Sequence, residues 1–253
     1  MIKLNGQRTW AKVAKSKKPT LVLLHGGMSS SASLLRTVAP RLAKDFRIAA
    51  FDRRGHGRTP DTDEAFHYSS VADETVAFIE RLGVKVHLLG HSDGGVVALL
   101  VAMRRPDLVR RVVVVGTNYH FTGLYDVPEF PLKGPVFKQW RREYARLSPD
   151  GKKHARVVVG KALTLFATEP TLSCDDLATI KAPVLVMSGD DDVVKLSHTC
   201  SMYESFRTAQ LAVVPGTSHG VLKERNKLSV RLIRRFLTSD LPPATLAPLR
   251  RAR

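Results

Sequence analysis

A chain of 253 residues, 43% hydrophobic and 25% charged, is long enough to bury one large core, and its composition excludes the disordered and fibrous classes. Its formal net charge of +17 brings phosphate-rich and anionic-membrane partners to mind. However, pairs such as Arg53-Arg54, Arg104-Arg105, Arg110-Arg111 and Arg234-Arg235 are scattered, with no recognised nucleic-acid module, so solvated surfaces are expected and nucleic-acid binding is not.

Residues 1–7 lack the apolar run of a signal peptide, and no aliphatic block is long enough to cross a bilayer. Cys174 and Cys200 have no CxxC spacing. A cytoplasmic location is therefore expected, without a disulfide framework or thiolate metal site.

In chain order, residues 2–4 and 8–13 flank Asn5-Gly6, a pair suited to the positive φ angles of a two-residue hairpin turn. Apolar runs too short for helices follow at residues 21–24, 48–51, 84–89, 112–115, 184–187 and 211–214. They read as buried strands. Between them, Val71, Thr75, Phe78, Ile79 and Leu82 share one helical face, and Leu228, Leu232, Ile233, Phe236 and Leu237 repeat the pattern. Alternating strands and helices imply an α/β fold, a mostly parallel central sheet flanked by helices, with its site at the strands' carboxyl ends.

The alternation stops after Gly116 and resumes beyond Cys174. That stretch is too long for an unstructured loop, so a small folded unit is expected there. Phe137, Trp140, Tyr144 and Leu147 fall on one helical face, and Ser148-Pro149 offers a cap and first-turn proline for another helix. The expected organisation is a core of residues 1–116 and 179–240, a helical cap insertion at 117–178, and a basic, Pro-containing tail at 241–253.

Gly90-His91-Ser92-Asp93-Gly94 follows the 84–89 run and precedes another helical run. GxSxG is common by chance, and its setting between strand and helix gives it force. A nucleophilic serine there sits on a sharp turn, small residues on either side let the backbone close, and the helix amino terminus favours developing negative charge. A serine hydroxyl needs a base, and the base needs an orienting carboxylate. Gly189-Asp190-Asp191-Asp192 follows the 184–187 run, and His219 lies in Gly216-Thr217-Ser218-His219-Gly220 after the 211–214 run. The order Ser, Asp, His is the one expected on such a sheet.

From Leu21 to Leu237 the chain resembles the alpha/beta-hydrolase fold family, through the elbow, His25-Gly26-Gly27, Asp52-Arg53-Arg54-Gly55-His56-Gly57, Ile180-Lys181-Ala182-Pro183 and the GxxD and GxSH turns. The resemblance implies Ser92 as nucleophile, His219 as general base and Asp192 as the acid, with Asp190 and Asp191 as alternatives. It also implies an oxyanion hole made by the amides of Asp93 and Gly27, with Met28 as an alternative to Gly27. His56 and His91 are expected to make local hydrogen bonds, and Asp93 either to face solvent or to bind a basic neighbour. Aspartate-nucleophile relatives, the haloalkane dehalogenases and epoxide hydrolases, do not fit Ser92.

The implied activity is hydrolysis of a carboxylester, thioester or lactone of a small hydrophobic molecule, with no cofactor and no metal. The competing reading is a ligand-binding signalling protein of the same fold. Partners beyond a small-molecule substrate, and the oligomeric state, are left open.

Overall fold

The computed structural model describes residues 1–125, 134–241 and 243–247. The chain opens with β1 (Ile2–Leu4), β2 (Gln7–Thr9), β3 (Ala11–Val13) and β4 (Thr20–Leu24), followed by α1 (Ser31–Thr37), α2 (Ala39–Leu42), β5 (Arg47–Phe51) and α3 (Tyr68–Leu82). β6 (Val86–His91), α4 (Asp93–Arg104) and β7 (Val109–Val115) complete the first half. A 3-10 turn at Phe121–Gly123, then α5 (Pro135–Leu147), α6 (Gly151–Thr168) and α7 (Cys174–Ala178), occupy the break in the alternation. The sheet resumes with β8 (Val184–Asp191), α8 (Leu196–Ser205), β9 (Ala209–Ser218), α9 (Val221–Glu224) and α10 (Asn226–Thr238).

The main sheet has seven strands in the order β3-β5-β4-β6-β7-β8-β9. Only β3 is antiparallel to its neighbour, β5. β1 and β2 form a separate hairpin, in which Asn5 (φ 45°) and Gly6 (φ 86°) take the positive angles their pairing predicts. Residues 8–13 are therefore two short strands belonging to two sheets.

The valine and leucine runs fit a sheet covered on both faces, because alternate side chains point to opposite sides. Val22, Leu24, Leu88, Val112 and Val114 pack with Phe78, Ile79 and Val97 of α3 and α4. Leu21, Leu23, Leu89, Val113 and Val115 pack with Leu34, Leu42, Ile233 and Phe236 on the other face. β6 begins at Val86 rather than 84. Gly83 closes α3 in the left-handed conformation (φ 68°), and Val84 is exposed before the chain enters the sheet.

Phe137 and Tyr144 of α5 are buried and Trp140 is half-buried, as one apolar face requires. The Ser148 hydroxyl accepts the Asp150 amide at 3.1 Å, but regular helix starts only at Gly151, whose φ of 77° breaks the turn. Most of the tail expected at 241–253 lies outside the described residues. No helix among those described is long and apolar enough to cross a membrane.

Candidate active site

Ser92 stands where β6 turns into α4, with φ 54° and ψ −124°. For a side-chain-bearing residue this is a strained conformation, sustained only when its surroundings over-determine it. The surroundings do so by removing side chains. A Cβ on Gly90 would lie 2.1 Å from the Gly94 carbonyl oxygen, and one on Gly94 would lie 2.1 Å from that of Leu24. The Ser92 amide donates to Val115 at 2.8 Å, tying the turn to β7.

Asp192 lies just beyond β8 and His219 just beyond β9, and His219 Nδ1 bonds the Asp192 carboxylate at 2.7 Å. Asp192 is buried; Asp190 and Asp191 are exposed, and Asp190 instead accepts the Thr217 amide at 3.0 Å. Burial opposes ionisation of Asp192, but the His219 ring and the Val194 and Gly189 amides outweigh it and hold the carboxyl below its ordinary range. Gly116 (φ 57°), at the end of β7, makes room for the pair. A Cβ there would lie 2.9 Å from His219 Nδ1 and 3.1 Å from Asp192 Oδ2.

Ser92, Asp192 and His219 all follow carboxyl ends of strands, and His91, the residue before Ser92, contacts His219. The His91 Nε2 donates to the His219 carbonyl at 3.0 Å, and the two rings lie 5.0 Å apart. Burial, with the His219 charge second, lowers the His91 pKa to about 4, so this ring is neutral at physiological pH. Among the described residues the Ser92 hydroxyl makes no hydrogen bond, to His219 or to any other group. The His91 bond reaches across the fold, whereas its place beside the elbow suggests only local partners.

The loops after β4 and β5 are braced by two further neutral histidines. His25 Nδ1 donates to the Gly26 carbonyl at 2.8 Å, while its Nε2 accepts the Arg53 amide at 3.2 Å. His56 repeats the scheme, with Nδ1 donating to the Arg54 carbonyl at 2.9 Å and Nε2 accepting the Met28 amide at 3.3 Å. Each ring thus has one donor and one acceptor partner, which selects a single neutral tautomer. Burial, reinforced by Arg53, lowers the His25 pKa to about 4 and holds His56 well below its usual value. Asp52, fully buried, accepts the Ser31 amide and hydroxyl at 2.8 and 2.6 Å and the Arg58 amide at 2.9 Å.

Asp93 binds a basic neighbour: Arg53 Nη2 meets its carboxylate at 2.6 Å, with both side chains buried. Burial first, and the nearby Asp93 carboxylate second, push the Tyr68 phenol pKa well upward. The expectation that paired arginines are solvated fails at Arg53-Arg54. Both are buried, Arg54 donating to Thr62 at 2.6 Å and to the Glu64 and Ala65 carbonyls. Charge arithmetic along a sequence cannot reveal this: Arg53 finds its partner at another strand end, and Arg54 folds back on its own loop.

No group of three or more His, Cys, Asp and Glu among the described residues is arranged to hold a metal. With this geometry established, residues 21–231 match the model of the family described as "Alpha/beta hydrolase family". The chain belongs to that family.

Among similar alpha/beta hydrolases is the provisionally named carbamate hydrolase RutD of Rhizobium rhizogenes (strain K84 / ATCC BAA-868). It is 29% identical over 224 residues, covering 79% of this chain and 86% of that protein. The bifunctional esterase/perhydrolase DCH of Acinetobacter calcoaceticus is 29% identical over 247 residues, covering 80% and 86%. A serine hydrolase involved in carbazole degradation, CarC, superposes with a TM-score of 0.76 at 21% identity, over 94% of this chain and 97% of the other. At that identity the superposition speaks to the alpha/beta-hydrolase fold alone.

Proposed function

We propose that this chain is a serine hydrolase that cleaves a carboxylester, thioester or lactone of a small hydrophobic molecule through an acyl-enzyme on Ser92. Hydrolase activity on ester- or amide-like bonds is supported by the family and by relatives named as hydrolases and esterases. The observation that carries the finer reading is a serine on a strained turn beside strand ends that present a bonded Asp192–His219 pair.

In this mechanism His219 takes the Ser92 proton through Nε2 as the hydroxyl attacks the carbonyl. Asp192 holds the ring by Nδ1 and stabilises the imidazolium. The imidazolium then protonates the departing group, and His219 later activates water to release the acid. The hydroxyl closes on the ring when substrate is bound, as catalytic hydrogen bonds commonly tighten beyond the unliganded geometry.

The amides of Gly27 and Asp93 serve the oxyanion. Neither donates to any group among the described residues, whereas the Met28 amide is already taken by His56; this favours Gly27 over Met28. The Arg53–Asp93 pair neutralises a carboxylate that would otherwise oppose the oxyanion. The helical insertion forms the cap: a Cβ on Gly27 would lie 2.6 Å from the Phe166 ring of α6, so an aromatic wall stands beside the reacting carbonyl and favours apolar groups.

Fluorophosphonate labelling with peptide mapping is expected to place the adduct on Ser92. Hydrolysis of 4-nitrophenyl butyrate is expected to fall by about 10⁴-fold or more in Ser92→Ala. A label elsewhere with undiminished turnover would overturn the mechanism. Tight ligand binding by the wild type without turnover would establish the signalling reading, whose one structural support is the unengaged Ser92 hydroxyl.

A further inference from the structure

A cleft of about 390 Å³ opens between α1, α5 and α9, within the size range of small-molecule sites. Three cationic side chains line it, each from a different element: Arg36, Arg146 and Lys223. None has a carboxylate or hydrogen-bond partner among the described residues. The hydroxyls of Ser29, Ser30 and Ser33 line the same cleft and are equally without partners. By contrast, Arg104, Arg105 and Arg234 on the outer surface each hold a carboxylate. Glu143 is the acid in the lining, and it accepts from Gln139 at 3.3 Å rather than from any of these cations.

We propose that this cleft binds a small anion bearing a carboxylate or phosphate group. Each guanidinium can pair two N–H donors with two oxygens of either anion, Lys223 adds a point charge, and the hydroxyls offer donors for remaining lone pairs. The chain's net charge of +17 draws such a ligand from solution. Arg36, Arg146 and Lys223 are each exposed, and three separate elements bring them to one concavity whose lining holds a single acid. The site is independent of the Ser92 chemistry, although Met28 and His56 of the oxyanion-side loops also border it.

Trp140 lines the cleft and is one of two tryptophans, so Trp10→Phe leaves a reporter in place. The full chain carrying that change would be titrated with inorganic phosphate and with adipate at fixed ionic strength. Indole fluorescence and the amide NMR shifts of residues 29–36 would both be followed. Saturable responses are expected, with half-saturation raised at least tenfold in Arg36→Ala/Lys223→Ala and changed less than twofold in Lys3→Ala/Lys12→Ala, which removes equal charge elsewhere. Tighter phosphate binding assigns a phosphorylated ligand; tighter adipate binding assigns a carboxylate. Linear responses in both readouts, or equal weakening in the two double variants, would overturn the site.

Discussion

The strand-end loops of the core and the helical insertion above them are held by different forces. In the loops, polar groups fix backbone atoms: Asp52, His25, His56 and the Arg53–Asp93 pair each bridge segments distant in sequence. In the insertion, an apolar face of α5 packs with α6; Trp140 bonds the Met28 carbonyl, Glu169 pairs with His67 and accepts the Tyr68 amide, and a further polar cluster gathers on Asp61. Its buried carboxylate meets His154 at 2.8 Å and Lys161 at 2.9 Å, and its amide is held by Asp150 at 2.9 Å. Directional bonds place atoms to a fraction of an ångström, which the proposed oxyanion donors require; apolar packing with a few partly exposed ion pairs permits motion, which substrate entry requires.

The strongest way to break this contrast is Arg53→Met, which strands the Asp93 carboxylate without its ion pair. Urea unfolding is expected to show a loss of about 3–5 kcal/mol, and Arg53→Met/Asp93→Leu should recover most of it. Equal stability of the single variant and the wild type would show that the pair is structurally idle.

Acidification comes next and bears mainly on the core. Burial lowers His25, His91 and His87 to about 4, so between pH 6.5 and 4 the unfolded chain binds more protons than the folded one. Their contribution is complete above pH 6.5 and is lost as pH falls. Glu74, raised by burial to about 7, works in the opposite sense, because its protonated folded form loses stability as pH rises from 4.5 to 7. Several histidines against one glutamate leave a net loss on acidification, above about 1 kcal/mol per pH unit near pH 5.5. Thermal unfolding across that range measures it, and a flat profile would refute the neutral-histidine bracing.

Asp61→Asn should have a smaller effect, about 1–3 kcal/mol, and should raise KM for 4-nitrophenyl butyrate more than it lowers kcat, since it loosens the insertion and leaves Ser92 alone. The reverse split would place Asp61 in the chemistry. Trp140→Phe, which removes the indole bond to the Met28 carbonyl but keeps most of the apolar face, should cost less than about 1.5 kcal/mol.

The parts of this molecule legible in sequence are those that local pattern specifies. Valine and leucine runs mark the strands, Asn5-Gly6 marks the hairpin, and glycine spacing marks the turns that carry Ser92, Asp192 and His219. The resemblance to a known family narrowed the choice among three adjacent aspartates. The His91 bond to the His219 backbone, the matched tautomers of His25 and His56, and the burial of Arg53 were not legible. Each depends on which strand ends become neighbours, information held by sheet order rather than by any window of residues. The break at Gly151 is equally hidden, because Ser148-Pro149 is a sound helix start by composition and only the φ of the next glycine interrupts it.

The junction at Gly116 has a practical consequence for protein engineering. The polypeptide leaves the sheet for the insertion at the residue where any side chain would crowd both His219 and Asp192, and Thr117 then reaches back to the Ser92 carbonyl at 3.3 Å. A transplanted insertion therefore cannot be spliced at the edge of the sheet as a neutral cassette. Its upstream seam belongs beyond Tyr119, whose amide is anchored by His198 at 3.1 Å, so that a change of specificity leaves the Asp192–His219 pair in its native frame.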